Sequence, residues 1–495
     1  FIFVGGVSPP PLWKSDSSFR MHWSPRKVTY RVVTSLESPM NSPRIVAASA
    51  RPLSRRRFLA QTGATAGILG FPALLRSASP NSMLQVACVG VGGRGGLGMR
   101  SVATHPKVKI VTLCDVDERS LTAAAKLFPD AARLQDWREL LGRRAGEIDA
   151  VTVGIADHMH ASVALTAIRA KKHVYLEKPM ALTVHECRVL AQEAARTGVV
   201  TQLGNQGRSS IESRMTVALL RGGAIGKIRE VILWENKPLS WWPKNTELRA
   251  QADPIPPGFN WDHWLGVREP RPYLQQTYHP KTWRAWFDFG GGEMGDMGCH
   301  HFDITFDALK LTAPLRVRQL DGGSRGPLWG EKRVVELIFP GSDVTAGSTV
   351  KVTWYDGGIE PDRGRIQLPK GITKFPLSAN YWIGERGSIF KIYGSGRPFV
   401  LPEEDFPLEK YPRDFKGQDH FHDWVDAILA GRKSCADFAH GGPLTESVLV
   451  GALADRFAGE WLEWDRPGLR FKNHVEATKL LRRPYRDGWK ISGLG

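Results

Sequence analysis

Hydrophobic and polar positions change rhythm twice along this chain. Between Met83 and Leu203, short apolar runs of strand length alternate with stretches of helical period. Leu84–Val89 is apolar. A glycine-rich turn follows, then a helix to about Thr104 and a second apolar run, Val108–Leu113, that ends at Asp115. Ala150–Ile155 reads as a buried strand, after which Ala161, Ala164, Leu165 and Ile168 recur on one helical face. His173–Leu176 is a further strand. Thr183 with Glu186 has capping-box spacing, so a helix starts there, runs to about Thr197 and stops at Gly198; Val199–Leu203 is the next strand. Repeated strand–helix units predict an α/β fold, a Rossmann-type doubly wound parallel sheet with its ligand at the carboxyl ends of the strands.

After Asn205-Gln206-Gly207 the alternation stops. Ile228–Trp234, Val334–Ile338 and Val350–Trp354 read as strands and Phe421–Leu429 as a helix. This half predicts an α+β domain with a large, mostly antiparallel sheet. The expected organisation is a leader over residues 1–82, a dinucleotide-binding domain over 83–205 and a domain for substrate binding and oligomerisation over 206–495. A 495-residue chain with 42% hydrophobic residues can supply two sizeable cores.

The net charge of +17 suggests a polyanionic partner until it is located. Residues 1–82 hold eleven Lys and Arg against two acids, so more than half of the excess lies in the leader. The remainder is mildly basic with no dense block, which argues against nucleic-acid binding. Ser54-Arg55-Arg56-Arg57-Phe58-Leu59 precedes a small-residue apolar stretch, Thr62–Leu75, and then Arg76-Ser77-Ala78. That order is a twin-arginine export signal, with Met40 a candidate start of the precursor. The apolar stretch is too short to anchor stably in a bilayer. The expectation is an exported or periplasmic protein, free of the membrane once the signal is removed. Five widely spaced cysteines without a CxxC pair predict neither a disulfide framework nor a structural zinc site.

The chemistry begins at Gly90-Val91-Gly92-Gly93-Arg94-Gly95, a Gly-x-Gly-x-x-Gly turn between strand and helix. Glycines let a backbone approach a pyrophosphate, and the helix N-terminus stabilises its charge. Asp115, at the end of the second strand, is placed to accept from ribose hydroxyls. An acid there favours NAD over NADP, although the nearby Arg119 tempers the preference. Glu177-Lys178-Pro179 follows a strand directly, so Lys178 emerges on the cofactor side. Asp157-His158-Met159-His160 precedes a helix, where the histidines serve either as a cap or, for His160, as a neighbour of the nicotinamide. The run Gly290-Gly291-Gly292-Glu293-Met294-Gly295-Asp296-Met297-Gly298-Cys299-His300 puts Asp296 and His300 at i and i+4, facing the same way. Helical spacing turns His301 away from His300, so no metal is expected.

These motifs resemble the Gfo/Idh/MocA group of glucose–fructose oxidoreductases, inositol dehydrogenases and rhizopine-catabolism proteins, over roughly residues 83–490. The resemblance implies that Lys178, Asp296 and His300 are catalytic, that the peptide before Pro179 is often cis, and that the second sheet also makes subunit contacts, giving a dimer or tetramer. Gly90, Gly92, Gly93, Arg94, Gly95, Asp115, His160, Glu177 and Lys178 are the expected nucleotide-binding set, with NAD as cofactor and NADP possible.

Seven of the 17 tryptophans fall between Trp234 and Trp286, and indole faces stack on sugar C–H surfaces. Trp241, Trp242, Trp283 and Trp286 are candidates for such stacking beside core packing. His279, Trp283 and Arg284 are the candidate substrate contacts. Pro238–Pro257 and Pro270–Pro280 read as ordered loops over the site.

The expected function is hydride transfer between nicotinamide and a sugar or polyol carbinol carbon, with His300 titrating in the useful range as base, Asp296 either orienting it or hydrogen-bonding a neighbouring hydroxyl, and Lys178 stabilising the alkoxide and assisting the proton's transfer. Two rivals stand beside it: an NAD-dependent glycosidase working through a transient keto sugar, and a non-catalytic nucleotide-binding scaffold or sensor.

Overall fold

A computed structural model describes residues 83–495, apart from 239–241, 244–247, 250, 325 and 395. The twin-arginine segment and Trp241 lie outside the described residues.

The first half builds a six-stranded sheet from β1 (Leu84–Val89), β2 (Val108–Cys114), β3 (Ala132–Leu134), β4 (Ala150–Val153), β5 (His173–Leu176) and β6 (Thr201–Leu203), in the order β3-β2-β1-β4-β5-β6. Every neighbouring pair is parallel. The order reverses beside β1, which opens a crevice at the carboxyl ends of β1 and β4, where nucleotides bind in such sheets. The capping box at Thr183 and Glu186 is formed, and the helix Val184–Thr197 ends at Gly198 in the left-handed conformation. β4 is shorter than its apolar run, because Gly154 and Ile155 already turn into the crevice.

The second half carries a nine-stranded sheet: β7 (Ile228–Glu235), β8 (Arg316–Asp321), β9 (Arg333–Pro340), β10 (Thr349–Asp356), β11 (Ser378–Gly384), β12 (Ser388–Ile392), β13 (Phe399–Leu401), β14 (Leu462–Asp465) and β15 (Arg470–Phe471). The order is β13-β12-β11-β7-β10-β9-β8-β14-β15. All pairs are antiparallel except β7 with β10. The helix Gly292–Leu309 lies on this sheet: His301 is hydrogen-bonded to Glu235 on β7 and Asn380 on β11, and the Trp382 indole donates to Thr305 at 3.0 Å. A Cβ on Gly298 would lie 3.0 Å from Val448, and one on Gly451 2.5 Å from Met294, so bare backbone lets the Phe438–Leu453 helix pack closely on it.

The helix His420–Ala430 departs from the expected partition at residue 205. Phe421, Trp424, Val425 and Ile428 enter the apolar core of β1 and β2. Leu203 N–H donates to Ala436 O, and Ser434 Oγ to Thr201 O. A late segment thus completes the first domain, because a parallel sheet must be covered on both faces. Among the described residues no helix is long and apolar enough to cross a membrane.

Candidate active site

The glycine turn has a shape that only glycine allows. Gly90 has φ +82°, and a Cβ there would lie 2.3 Å from Gly154 O; one on Gly95 would lie 2.2 Å from Gly90 O. The helix Gly93–Ala103 starts at Gly92 with no side-chain cap, so its first amides are free to hold an anion. A cleft of about 460 Å³ runs from this turn past Asp115, Ile155 and Trp264 to His279, Trp283 and Arg284. These features fit a dinucleotide.

Asp115 lines this cleft while bracing its wall. Its Oδ2 accepts from the Val91 and Gly92 amides at 2.9 and 3.3 Å, and its Oδ1 from the Asp117 amide at 3.0 Å. Burial raises its pKa against the pull of those amides. A carboxylate offers about four acceptor sites, so capacity remains for ribose hydroxyls. Arg119, expected to temper the preference for NAD, is engaged instead by Asp117 at 2.8 and 3.0 Å.

A second hollow of about 510 Å³ shares Arg94, Gly154, Ile155, Trp283 and Arg284 with the first, and is lined further by Asp157, Glu177, Lys178, Asp296, His300 and Tyr393. Lys178 arrives from the end of β5 through a cis Lys178–Pro179 peptide. Its Nζ donates to Asp296 Oδ1 at 2.7 Å and to the Asp296 carbonyl at 2.6 Å. Asp296 Oδ1 also accepts from Arg284 Nε at 3.1 Å. Burial alone would raise this carboxyl, but the two cations hold it well below the usual carboxylate range. The hollow therefore contains a fixed anion clamped by Lys178 and Arg284.

His300 shares the helical face of Asp296, as the spacing requires, but two expectations about it change. Asp296 bonds Lys178 and Arg284, not the imidazole, and His300 Nδ1 is buried without a hydrogen-bond partner among the described residues. Burial, reinforced by the Lys178 charge, drives its pKa well below the ordinary histidine value. His300 is a neutral acceptor at physiological pH rather than a group titrating near it.

His160, expected as a cap or beside the nicotinamide, lines neither hollow. It is 1% exposed, with Nδ1 2.7 Å from Pro179 O and Nε2 3.1 Å from Ile155 O. It ties the end of β4 to the turn that carries Lys178, and burial lowers its pKa to about 4. His158 is likewise buried, against Trp264 O at 2.9 Å. Glu177 Oε1 accepts from Arg94 Nε at 3.2 Å and Gln206 Nε2 at 3.0 Å. It lies in the second hollow, and Arg94 lines both.

Among the candidate substrate contacts, Trp283 and Arg284 line both hollows, with the guanidinium 4.2 Å from the indole centroid. His279 sits elsewhere. Its ring stacks on Phe259 and lies 3.9 Å from Asp117, on the wall of the nucleotide cleft. Trp286 is a core residue donating to Thr277 O, and Trp242 packs against the main core. His301 and Asp303 are held by Glu235 and Asn380 and by Arg208 and His440 respectively.

Two wall residues escaped the sequence reading. Asp157 lies in the turn just beyond the carboxyl end of β4, the region where a Rossmann sheet presents ligands, so its place after a buried strand was the available signal. Burial pushes its pKa up to about 8, against the pull of Arg284. Tyr393 stacks on His301 at 4.7 Å and lies 5.8 Å from the His300 ring. Nothing local marks it, because only the packing of the helix on the sheet brings it there.

Comparison with known proteins agrees with this layout. Residues 84–205 match the oxidoreductase family described as NAD-binding Rossmann fold, and residues 216–318 match its C-terminal alpha/beta domain. Both matched segments are thus similar to the Gfo/Idh/MocA group of oxidoreductases. A glycosyl hydrolase family 109 protein of Shewanella pealeana is 28% identical over 207 residues, 36% of this chain and 44% of that protein. An inositol 2-dehydrogenase of Salmonella paratyphi B is 32% identical over 124 residues, 24% of this chain and 36% of that protein. The chain thus spans less than half the length of these relatives. The crystal structure of GenD2 from gentamicin A biosynthesis, in complex with NAD, has the same fold, with a TM-score of 0.54 and 19% identity over 81% of this chain and 100% of that one.

Proposed function

We propose that this chain is an NAD-linked oxidoreductase that transfers hydride to or from a carbinol carbon of a small carbohydrate or polyol. The observation that carries the reading is the convergence of Lys178, from the end of β5, with Asp296 and His300, from a helix on the other sheet, on one hollow continuous with the glycine-turn cleft. NAD, when bound, supplies the hydride acceptor. The named activities of the relatives, inositol dehydrogenation and glycoside hydrolysis, support a hydroxyl-rich substrate.

An ammonium group has three donors. Asp296 engages Lys178 twice, which leaves one donor for a substrate oxygen. That donor stabilises the charge growing on the oxygen as its proton leaves. His300 lines the hollow as a neutral imidazole; it accepts the hydroxyl proton and passes it on to solvent, which its lowered pKa favours. Asp296 keeps its charge throughout and positions Lys178 and Arg284. Nucleotide analysis of the purified protein, followed by a sugar and polyol screen at the nicotinamide absorbance, tests the reading. Bound NAD with no response from any member opposes it.

The Shewanella relative favours a second reading, glycoside cleavage through a transient keto sugar. Release of an aglycone without net NADH would select it. The Ser54–Ala78 segment supports export of the folded, nucleotide-loaded protein, and translocation of a reporter fused to residues 40–82 tests that.

A further inference from the structure

We infer that the substrate has two linked polyhydroxylated units, one held at Lys178 and Asp296 and the other in a separate cavity beyond His300; this rests on the sugar reading above. The second cavity holds about 220 Å³. It shares Gly207, His300 and Tyr393 with the catalytic hollow, so the two cavities adjoin at the imidazole and the phenol. At about 30 Å³ per water it has room for roughly seven waters, the scale of one sugar ring.

Three of its wall groups have polar capacity that the protein leaves unused. Lys391, on β12, is 5% exposed, and among the described residues its ammonium makes one hydrogen bond, 3.4 Å to the Ile392 carbonyl. A buried ammonium with only one long hydrogen bond is under-satisfied, so such a group marks a place where a ligand completes the bonding. Glu212 also lines the cavity, close enough for its charge to act on Lys391, yet its carboxylate accepts no hydrogen bond among the described residues. The Tyr393 hydroxyl is similarly without a partner there. The other charged pair in the wall is already satisfied: Arg208 binds Asp303 at 3.1 Å and Asp307 at 3.0 Å, and His440 also binds Asp303.

The unused set is one cationic donor, one anionic acceptor and one hydroxyl. An anionic occupant would face Glu212 and a cationic one Lys391. A neutral unit whose hydroxyls both donate and accept satisfies all three. Because the two cavities meet at His300, a single molecule bridging them places its reacting carbon beside the imidazole and its second unit at Lys391.

The test uses the full chain loaded with NAD and matched pairs: D-glucose with cellobiose, D-galactose with lactose, N-acetylglucosamine with chitobiose, and myo-inositol with galactinol. The two-unit member of the best pair should have at least tenfold higher kcat/KM. Lys391→Met and Ser213→Phe, the second filling the cavity, should each cut that ratio at least fivefold while NAD affinity stays unchanged. A monosaccharide equal to or better than its partner overturns the inference, as does a ratio unmoved by Lys391→Met. If NAD is bound but no pair is oxidised, the redox reading has failed separately. Calorimetric binding of the same pairs then decides the cavity: equal affinities within every pair overturn it, and a two-unit preference lost in Lys391→Met upholds it.

Discussion

Lys178 Nζ lies 2.7 Å from Asp296 Oδ1 and 2.6 Å from the Asp296 carbonyl oxygen, so a lysine just beyond β5 of the first sheet is held by both the side chain and the backbone of one residue on the helix that packs on the second. The contact crosses the cleft between the halves. It fixes the ammonium on the wall of the second hollow. Replacing Lys178 with Met keeps most of the packing and removes the charge. We expect nucleotide Kd to change less than threefold and kcat to fall about 10²–10⁴-fold. Titration calorimetry with NAD and steady-state kinetics check this; normal turnover in the variant would remove Lys178 from the chemistry.

The glycine turn gives a steric prediction. A methyl group on Gly95 would lie 2.2 Å from Gly90 O and 2.5 Å from Gly154 O, all rigid backbone. Gly95→Ala should therefore lower Tm and weaken NAD binding at least tenfold. Gly146→Ala, where an added Cβ meets nothing within 4 Å, should do neither. Thermal melts with and without NAD separate the two variants.

Coenzyme choice follows from Asp115 and Arg119. The carboxylate stands in the cleft, while the guanidinium that could have received a 2′-phosphate is engaged by Asp117. NAD should bind at least tenfold more tightly than NADP. Equal affinities in a direct titration would show that Arg119 swings away from Asp117.

Asp157 should govern an alkaline limb of activity. Its pKa of about 8 means it is neutral at pH 7 and becomes an anion as pH rises through 8, adding negative charge near Lys178, Asp296 and Arg284. Turnover should change with an apparent pKa near 8 in the parent chain. Asp157→Asn imitates the neutral form, so its profile should stay flat through that range. A transition that persists in the variant assigns it to another group.

His173 links pH to stability. Its Nδ1 accepts from the Val200 amide at 2.9 Å, and burial lowers its pKa to about 4. Between pH 6.5 and 4 the unfolded chain then binds the extra proton, so this histidine's contribution is complete above 6.5 and fades as pH drops toward 4. His173→Gln retains an acceptor without titrating. Its stability relative to the parent should improve by up to about 3 kcal/mol across that window, measured by denaturant unfolding at several pH values.

Local signals carried much of this protein. Apolar runs bounded by turns identified β1, β2 and β5, and the Thr183–Glu186 spacing located a helix start, because both depend on neighbours within a few residues. The glycine turn was readable because its backbone angles and close approaches exclude other residues. Asp296 and His300 shared a face by helical geometry alone.

What the sequence withheld is what depends on distant chain segments. Spacing cannot say that Asp296 pairs with Lys178 rather than His300, or that His160 turns inward to two carbonyls. Nor can it show that burial takes His300 out of the physiological titration range, since the Lys178 and Arg94 charges that act on it come from more than a hundred residues away. The return of Phe421 and Trp424 to the first sheet, and the arrival of Tyr393 beside His300, are packing outcomes of the same kind. Periodicity and backbone sterics determined the elements and the candidate residues; burial and charge pairing, which exist only once the sheets are assembled, decided what each residue can do.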